Sequence, residues 1–269
     1  MRWSSTEEKY LKKLYLNTSL TLNEIAQRLK RTPAAINHRL VKMGIKRRLS
    51  PGSRSPKKIT PALARLHAHI CGDGYLSHYQ EKDSYGYWAK YRRNTVRIRY
   101  VVGYDNNNPD LLREFQRDMY ESFGVRGKKI HKNKIRINSK RIWDFFRKLG
   151  AGDSHSWSIP DSIINGSKEI QRNWLRAFFD DEADFDDNGR IRVKIVNKKG
   201  LIQVMKMLKR FVPCHLTPKR GFYWGKTVCL NINKKDVPKF FSEIGSLRYP
   251  LHRKIRRGSS MVERGSHKA

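Results

Sequence analysis

Two stretches decide the fold: Leu66-His67-Ala68-His69-Ile70-Cys71-Gly72-Asp73-Gly74-Tyr75 and Leu175-Arg176-Ala177-Phe178-Phe179-Asp180-Asp181-Glu182-Ala183-Asp184-Phe185. Each reads as a helix that ends in an acid followed by Gly or Ala. Each carries small residues on one face, Ala68 with Gly72 in the first and Ala177 alone in the second. Small residues let two helix backbones approach closely. Two such helices packed side by side bring Asp73 and Glu182 together, although they lie 109 positions apart. Crowding two carboxylates costs energy unless a cation sits between them, and helix C-terminal carbonyls add further negative charge. Oxygen-only ligands select a hard ion such as Mg²⁺, which keeps several waters and bridges phosphate oxygens. Beneath a basic surface, that is a two-metal site for phosphodiester hydrolysis.

Working outward, the pattern around each stretch occurs twice between 61 and about 254. The first round is a helix (Pro61 to Gly72), strand-like residues 75 to 104, a helix near Asp110 to Phe123, strands near 127 to 137 and a helix from Lys140 to Leu149. The second is a helix (Lys168 to Glu182), a strand at Arg190 to Val196, a helix near Leu201 to Phe211, strands between 215 and 233 and a helix near Val237 to Ile244. Both rounds read αββαββα. Lys134-Ile135-Arg136-Ile137-Asn138 is matched by Cys229-Leu230-Asn231-Ile232-Asn233. A duplication of this length implies two similar half-domains facing each other, 61–160 and 161–257, too long a period for a solenoid.

Upstream, residues 3 to 48 carry three short helical patterns. Hydroxyls at Ser4, Ser5 and Thr6 stand near Glu7 and Glu8 as in a capping box. Thr21 is placed to cap a second helix, and Thr32-Pro33 opens a third that Gly44 stops. That is a helix-turn-helix outline over 1–48. Its third helix presents Asn37, His38 and Lys42, and Asn suits bidentate contact with adenine. Residues 49 to 60 are basic and Ser/Pro/Gly-rich, a linker placed to track a phosphate backbone. The final 258–269 are Gly/Ser-rich without periodicity and read as a tail.

Composition points to the partner. Fifty-eight Lys and Arg against 24 Asp and Glu leave a net +34, an excess that calls for a polyanion. No apolar run approaches the roughly 20 residues that span a bilayer, and no signal peptide opens the chain. A soluble, intracellular protein, cytoplasmic or organellar, is expected. Cys71, Cys214 and Cys229 lack zinc-site spacing and are expected as reduced thiols. His67 and His69, at i and i+2, cannot share a helix face to hold zinc. The acid-rich run from Asp180 to Asp187 lacks the closing Glu and the Gly position of a calcium loop.

Strand alternation sorts the cations. Arg97 and Arg99 alternate with Val96, Ile98 and Tyr100; Lys132, Lys134 and Arg136 oppose Ile135 and Ile137; Arg190, Arg192 and Lys194 alternate with Ile191, Val193 and Ile195. These rows read as almost purely positive, one apolar face and one cationic face in each half, suited to phosphates and guanine edges.

The two quoted stretches resemble the two copies of the LAGLIDADG motif of single-chain homing endonucleases, and the αββαββα rounds resemble their half-domains, over residues 61 to about 254. The resemblance implies an α+β, pseudo-twofold domain with a saddle of antiparallel strands along the DNA major grooves, joined here to a small all-α helix-turn-helix module similar to Myb-like and resolvase-type ones. It implies a monomer that cuts both strands of a long, asymmetric double-stranded target, leaves short 3′ overhangs with 5′ phosphates, and serves intron or intein mobility. Asp73 and Glu182 would bind the divalent metal, helped by the backbone carbonyls of Gly72 and Asp181. Mg²⁺ is the expected ion, with Mn²⁺ able to substitute and Ca²⁺ supporting binding without efficient cleavage. A basic residue near the end of each half usually tunes the hydrolytic water: Lys254 is the candidate in the second half, and the first half offers only His155. Asp181 stands where the family prefers Gly or Ala, which leaves open a looser helix interface or a contact with the metal shell. Two rival readings are a transcription regulator of this fold that has lost cleavage, disfavoured by retention of both acids, and an intron maturase that binds RNA.

Overall fold

Both motif helices begin where the chain supplies its own cap. The computed structural model describes residues 3–17, 20, 22–45, 55–82, 96–186, 188–218 and 227–249. Thr60 accepts the amide of Leu63, with Pro61 in the first helical position, and opens α4 (Pro61–Cys71). Ser167 does the same for α8 (Lys168–Glu182) through the amide of Ile170. Around α4 stand β1 (Gly74–Lys82), β2 (Val96–Asp105), α5 (Pro109–Phe123), β3 (Lys128–His131), β4 (Lys134–Asn138) and α6 (Lys140–Lys148). The short α7 (Asp161–Ile164) leads into α8, followed by β5 (Ala183–Phe185), β6 (Ile191–Ile195), α9 (Lys198–Leu208), β7 (His215–Pro218), β8 (Val228–Ile232) and α10 (Val237–Glu243). The strands form two antiparallel four-stranded sheets, ordered β1-β2-β4-β3 and β5-β6-β8-β7. One order repeats in both halves, as the duplicated pattern requires.

The helix-facing side of each sheet is the core. Val102, Tyr104, Ile135 and Ile137 in the first half, and Ile191, Val193, Leu230 and Ile232 in the second, join Ala68, Ala177, Trp174 and Phe178 in one apolar cluster. The other parity of each strand therefore faces away from the helices. Chain contacts separate residues 1–54 from 55–269 as two compact units. The first holds α1 (Ser5–Asn17), α2 (Leu22–Arg28) and α3 (Pro33–Lys42) around Leu11, Ile25, Ile36 and Leu40. Ser4 and Glu7 bond to each other's amides at its start, and Thr32 caps α3 on Ala35. The sequence readings at Thr21, over residues 49–54 of the linker and over the 258–269 tail fall on residues outside those described.

What locks α4 to α8 is ionic as well as apolar. A Cβ on Gly72 would lie 2.8 Å from the Cβ of Asp181, so the two helices touch there with no room for a side chain. The looser interface left open for Asp181 is therefore not found. The Asp181 carboxylate, fully buried, accepts from His69 Nδ1 at 2.8 Å and Tyr104 Oη at 2.7 Å. His69 Nε2 faces Glu114 at 3.5 Å, an electrostatic contact without hydrogen-bond geometry. Glu114 also pairs with Arg176 at 2.6 Å, and Arg65 clamps Asp118 at 2.6 Å and Asn173 at 2.5 Å. His67 is held apart from this network, between Trp174 Nε1 at 3.0 Å and the carbonyl of Leu149 at 3.1 Å. Burial pulls its pKa down to about 4, so it is neutral and donates to that carbonyl from Nε2.

The pH dependence of stability follows from His69. Burial alone would lower its pKa, but Asp181 and Glu114 outweigh burial and raise it to about 9. A histidine raised in the folded state contributes stability that is fully present below its unfolded value, near 6.5, and is lost as pH climbs through the folded value. Thermal unfolding of the intact protein should therefore fall in midpoint between pH 6.5 and 9, and His69→Phe should flatten that slope. An unchanged slope in the variant would remove His69 as its source.

Candidate active site

Asp73 and Glu182 arrive together because each stands at the C-terminal end of its motif helix and the helices touch at that end. Asp73 follows Gly72, the C-cap of α4, whose amide bonds to Ala68 O. Glu182 is the last residue of α8. Burial pushes the Asp73 carboxyl up, the Asp181 charge pushes it further, and Arg248, His69 and the Asn106 hydrogen bond pull back, leaving it at about 6. Burial, then the charges of Asp73 and Asp181, push Glu182 to about 7. Glu182 thus feels the Asp73 charge across the helix junction, and both acids feel Asp181.

The donor set fits a hard divalent cation. It is all oxygen, it sits where two helix C-termini add negative potential, and its acids disfavour ionisation in the cation's absence. Among the described residues no three His, Cys, Asp or Glu side chains are grouped to hold a metal by themselves. Two carboxylates are what an ion that shares its shell with water and phosphate oxygens requires. Asp181 is differently engaged: its carboxylate faces the helix interface, and its carbonyl accepts from Arg248 Nη1 at 3.2 Å.

Arg248 is the cation that sequence reasoning missed. The Asp180 carboxylate accepts from Ser246 Oγ at 2.6 Å and from the amides of Leu247 and Arg248 at 3.1 Å. That bent segment after α10 aims the guanidinium at the carbonyls of Asp180 and Asp181, both at 3.2 Å. A signal was present, since Asp180 directly follows the apolar run Ala177-Phe178-Phe179 on a packed helix, and a buried acid needs donors. Lys254 lies outside the described residues. His155 is exposed in a turn held by Asp153. Asn106 was also overlooked: its amide donates to Asp73 at 2.7 Å and to Asp181 at 3.4 Å.

The cation rows lie on the outer parity of the sheets, with corrections. Register places Arg99 opposite Tyr79, Arg136 opposite Gly103 and Lys128, and Lys134 opposite Asp105. Tyr75 lies flat over Gly103, where a Cβ would fall 2.1 Å from its ring, and Lys134 sits 5.5 Å from that ring. Arg97 lies in β2, but its side chain is outside the described residues. Lys132 is exposed in the β3–β4 turn rather than in the strand row. In the second half Arg192 stands between Asp184 and Asn231, and Lys194 opposite Cys229. Arg190 precedes β6 and pairs with Asp186 at 2.7 Å. The rows are not almost purely positive, because Glu81 holds Arg99 at 2.5 Å and Asp105 holds Lys134 at 2.6 Å. Adjacent acids keep long cations extended across the sheet while leaving the surface net positive. Val96 and Ile98 are about half exposed, so the apolar face of β2 outruns the core. The three cysteines are buried and free. In the other unit, His38 and Lys42 are exposed on α3 and Asn37 is half-buried.

No protein-family model matches the sequence, and no curated protein is similar to it. Solved structures are. The homing endonuclease I-DmoI in complex with DNA and Mn aligns with TM-score 0.51 at 22% identity, over 69% of this chain and 96% of that one. Its complex with DNA and Ca aligns with TM-score 0.52 at 20% identity, over 73% and 97%. At these identities the likeness is one of fold. Two antiparallel four-stranded sheets, each preceded by a helix ending in a paired acid, are thus arranged here in the fold of the LAGLIDADG homing endonucleases.

Proposed function

We propose that this protein is a metal-dependent endonuclease that cuts both strands of duplex DNA at a specific site. The observation that carries the reading is the pair Asp73 and Glu182, from remote parts of the chain, where burial and the Asp181 charge raise the proton affinity of Asp73, and burial with the Asp73 charge raises that of Glu182. Solved complexes of I-DmoI with DNA and Mn or Ca support it at the level of fold. A bound Mg²⁺ would neutralise charge on the scissile phosphate and lower the pKa of an attacking water. Asp73 and Glu182 would hold it; Asn106 orients Asp73; Arg248 supplies a fixed positive charge beside Asp73, with Lys254 as a further cation. Mn²⁺ substitutes, and Ca²⁺ supports binding more than cutting. Each motif acid serves one strand, giving short 3′ overhangs and 5′ phosphates.

The outer residues of the two sheets differ, Arg99, Lys134 and Arg136 in one and Arg192, Lys194 and Asn231 in the other, so the DNA target is asymmetric and a monomer reads it. The N-terminal unit extends the footprint as a helix-turn-helix through Asn37, His38 and Lys42. Among the described residues no helix is long and apolar enough to cross a membrane. The protein acts where its DNA lies, in cytoplasm or organelle.

Asp73→Asn and Glu182→Gln should each abolish cutting while leaving DNA binding intact or tighter, since each removes a ligand and a negative charge. Parallel gel-shift and cleavage assays decide it, and full cutting by either variant refutes the assignment.

Metal ligands must lose their protons to bind. With carboxyls at about 6 and about 7, cleavage at limiting Mg²⁺ should rise with pH across that interval, and more Mg²⁺ should move the midpoint lower. A midpoint indifferent to Mg²⁺ would mean that other groups set the profile.

A chain beginning at Ser55 should fold, because residues 55–269 form their own compact unit. It should cut at high concentration with weaker affinity, and its binding should depend less steeply on salt, as the 13 Lys and Arg within residues 1–54, against 3 acids, are removed. An unchanged footprint and affinity would assign the N-terminal unit to something other than DNA.

A further inference from the structure

The two halves are built on one plan, so each position in one has a counterpart that shows what the fold itself needs. The motifs align Asp73 with Glu182, Gly72 with Asp181 and His69 with Phe178. Register carries this onto the sheets: Gly74 pairs with Tyr104 in one half and Ala183 with Val193 in the other. Two residues on, Asn106 corresponds to Ile195.

In the first half these positions form a connected polar chain. Arg176 holds Glu114 at 2.6 Å, and Glu114 faces His69 at 3.5 Å. His69 and Tyr104 hold the Asp181 carboxylate at 2.8 and 2.7 Å. Asp181 faces Asn106 at 3.4 Å, and Asn106 donates to Asp73 at 2.7 Å. Asn106 is itself fixed, since its Oδ1 accepts the Asn108 amide at 2.8 Å and its own amide bonds to Asn133 O at 3.0 Å. The counterparts Phe178, Val193 and Ile195 are apolar, and Gly72 has no side chain. Among the described residues, none hydrogen-bonds to the Glu182 carboxylate.

We propose that Asp181, anchored by His69 and Tyr104, is a positioning residue that fixes the Asp73 carboxylate through Asn106, and that this one-sided support makes the two half-sites unequal. The inference rests on the endonuclease reading. Asp73 is held ready for its cation by an amide that has already given up its freedom, whereas Glu182 must be oriented when the cation and DNA arrive. Ligand orientation to within about 0.5 Å separates productive from unproductive geometry, and outer partners of a ligand are worth about 10–100-fold. The strand served by Asp73 is therefore cut first, and a nicked duplex precedes the double-strand break.

The experiment measures each strand separately on an end-labelled duplex target with Mg²⁺, comparing the intact protein with Tyr104→Phe and His69→Phe. Tyr104→Phe keeps the ring that stacks on Phe115 and removes one hydrogen bond, so it is the variant that preserves the core. Expected is a loss on the order of tenfold on the faster strand, with the slower strand changed less than twofold. A second readout needs neither metal nor DNA. The Asn106 side-chain amide protons should be dispersed and protected from exchange in the intact protein, and less so in Tyr104→Phe. Equal losses on both strands, or equal rates in the parent, overturn the one-sided support. Unaltered Asn106 protons in Tyr104→Phe do the same. Failure of the parent to cut any DNA removes the endonuclease reading instead, while the amide measurement still judges the hydrogen-bonded chain.

Discussion

The contact on which the molecule depends is the crossing of α4 and α8 at Gly72 and Asp181. A carboxylate without solvent access inside a helix interface is costly unless hydrogen bonds replace its hydration. Here a tyrosine hydroxyl and an imidazole do so, and the imidazole is kept protonated by two acids. Because the interface is closed by charge, its members are not interchangeable with apolar residues one at a time. Removing His69 strands Asp181, and removing Asp181 strands His69 beside Glu114 and Arg176. The position after Asp181 is Glu182, so whatever sets the crossing also sets the spacing of the paired acids.

Electrostatics explains why such an interface coexists with a net charge of +34. The acids are not spread evenly. Glu114, Asp118, Asp180 and Asp181 are buried along the helix pair, each against arginine or histidine or capped by backbone amides. Cations remain on the outer strands, with a few acids such as Glu81 and Asp105 bracing them. Burial of carboxylates in one place and exposure of cations in another turn an unfavourable total into a directed field.

Much of this was legible in sequence, and the reason is local. Thr60-Pro61 and Ser167 announce helix starts through cap chemistry, and Ile135 with Ile137 or Val193 with Ile191 announce strands through alternation. The acids at 73 and 182 were legible because duplication put the same punctuation in both halves. What escaped detection depends on long-range pairing. Nothing near Glu114 says that it will face His69 and Arg176 from a different helix, and nothing near Asn106 says that a strand end returns beside Asp73. Arg248 is not singled out in sequence because spacing after α10 does not reveal which basic residue a segment bonded to a buried Asp180 will carry inward. Lys132 and Arg190 continue the strand alternation yet lie beyond the ladders, because alternation does not mark where a ladder stops and a turn begins.

Duplication also separates what the fold demands from what this chain has added. Leu149 and Ile244 close the last turns of matching helices on the carbonyls of Phe145 and Phe240, and Gly150 and Gly245 both adopt positive φ to end them. Those features recur because an αββαββα half cannot pack without them. The His69–Asp181–Asn106 chain does not recur, and its counterparts pack as apolar side chains or glycine. The fold therefore did not need it, and a buried ion pair is rarely the most stable filling for a helix interface. What the polar filling supplies that Phe178, Val193 and Ile195 do not is a fixed direction for a carboxylate at the junction. Its presence on one side alone is the mark of a site whose two halves have taken different parts.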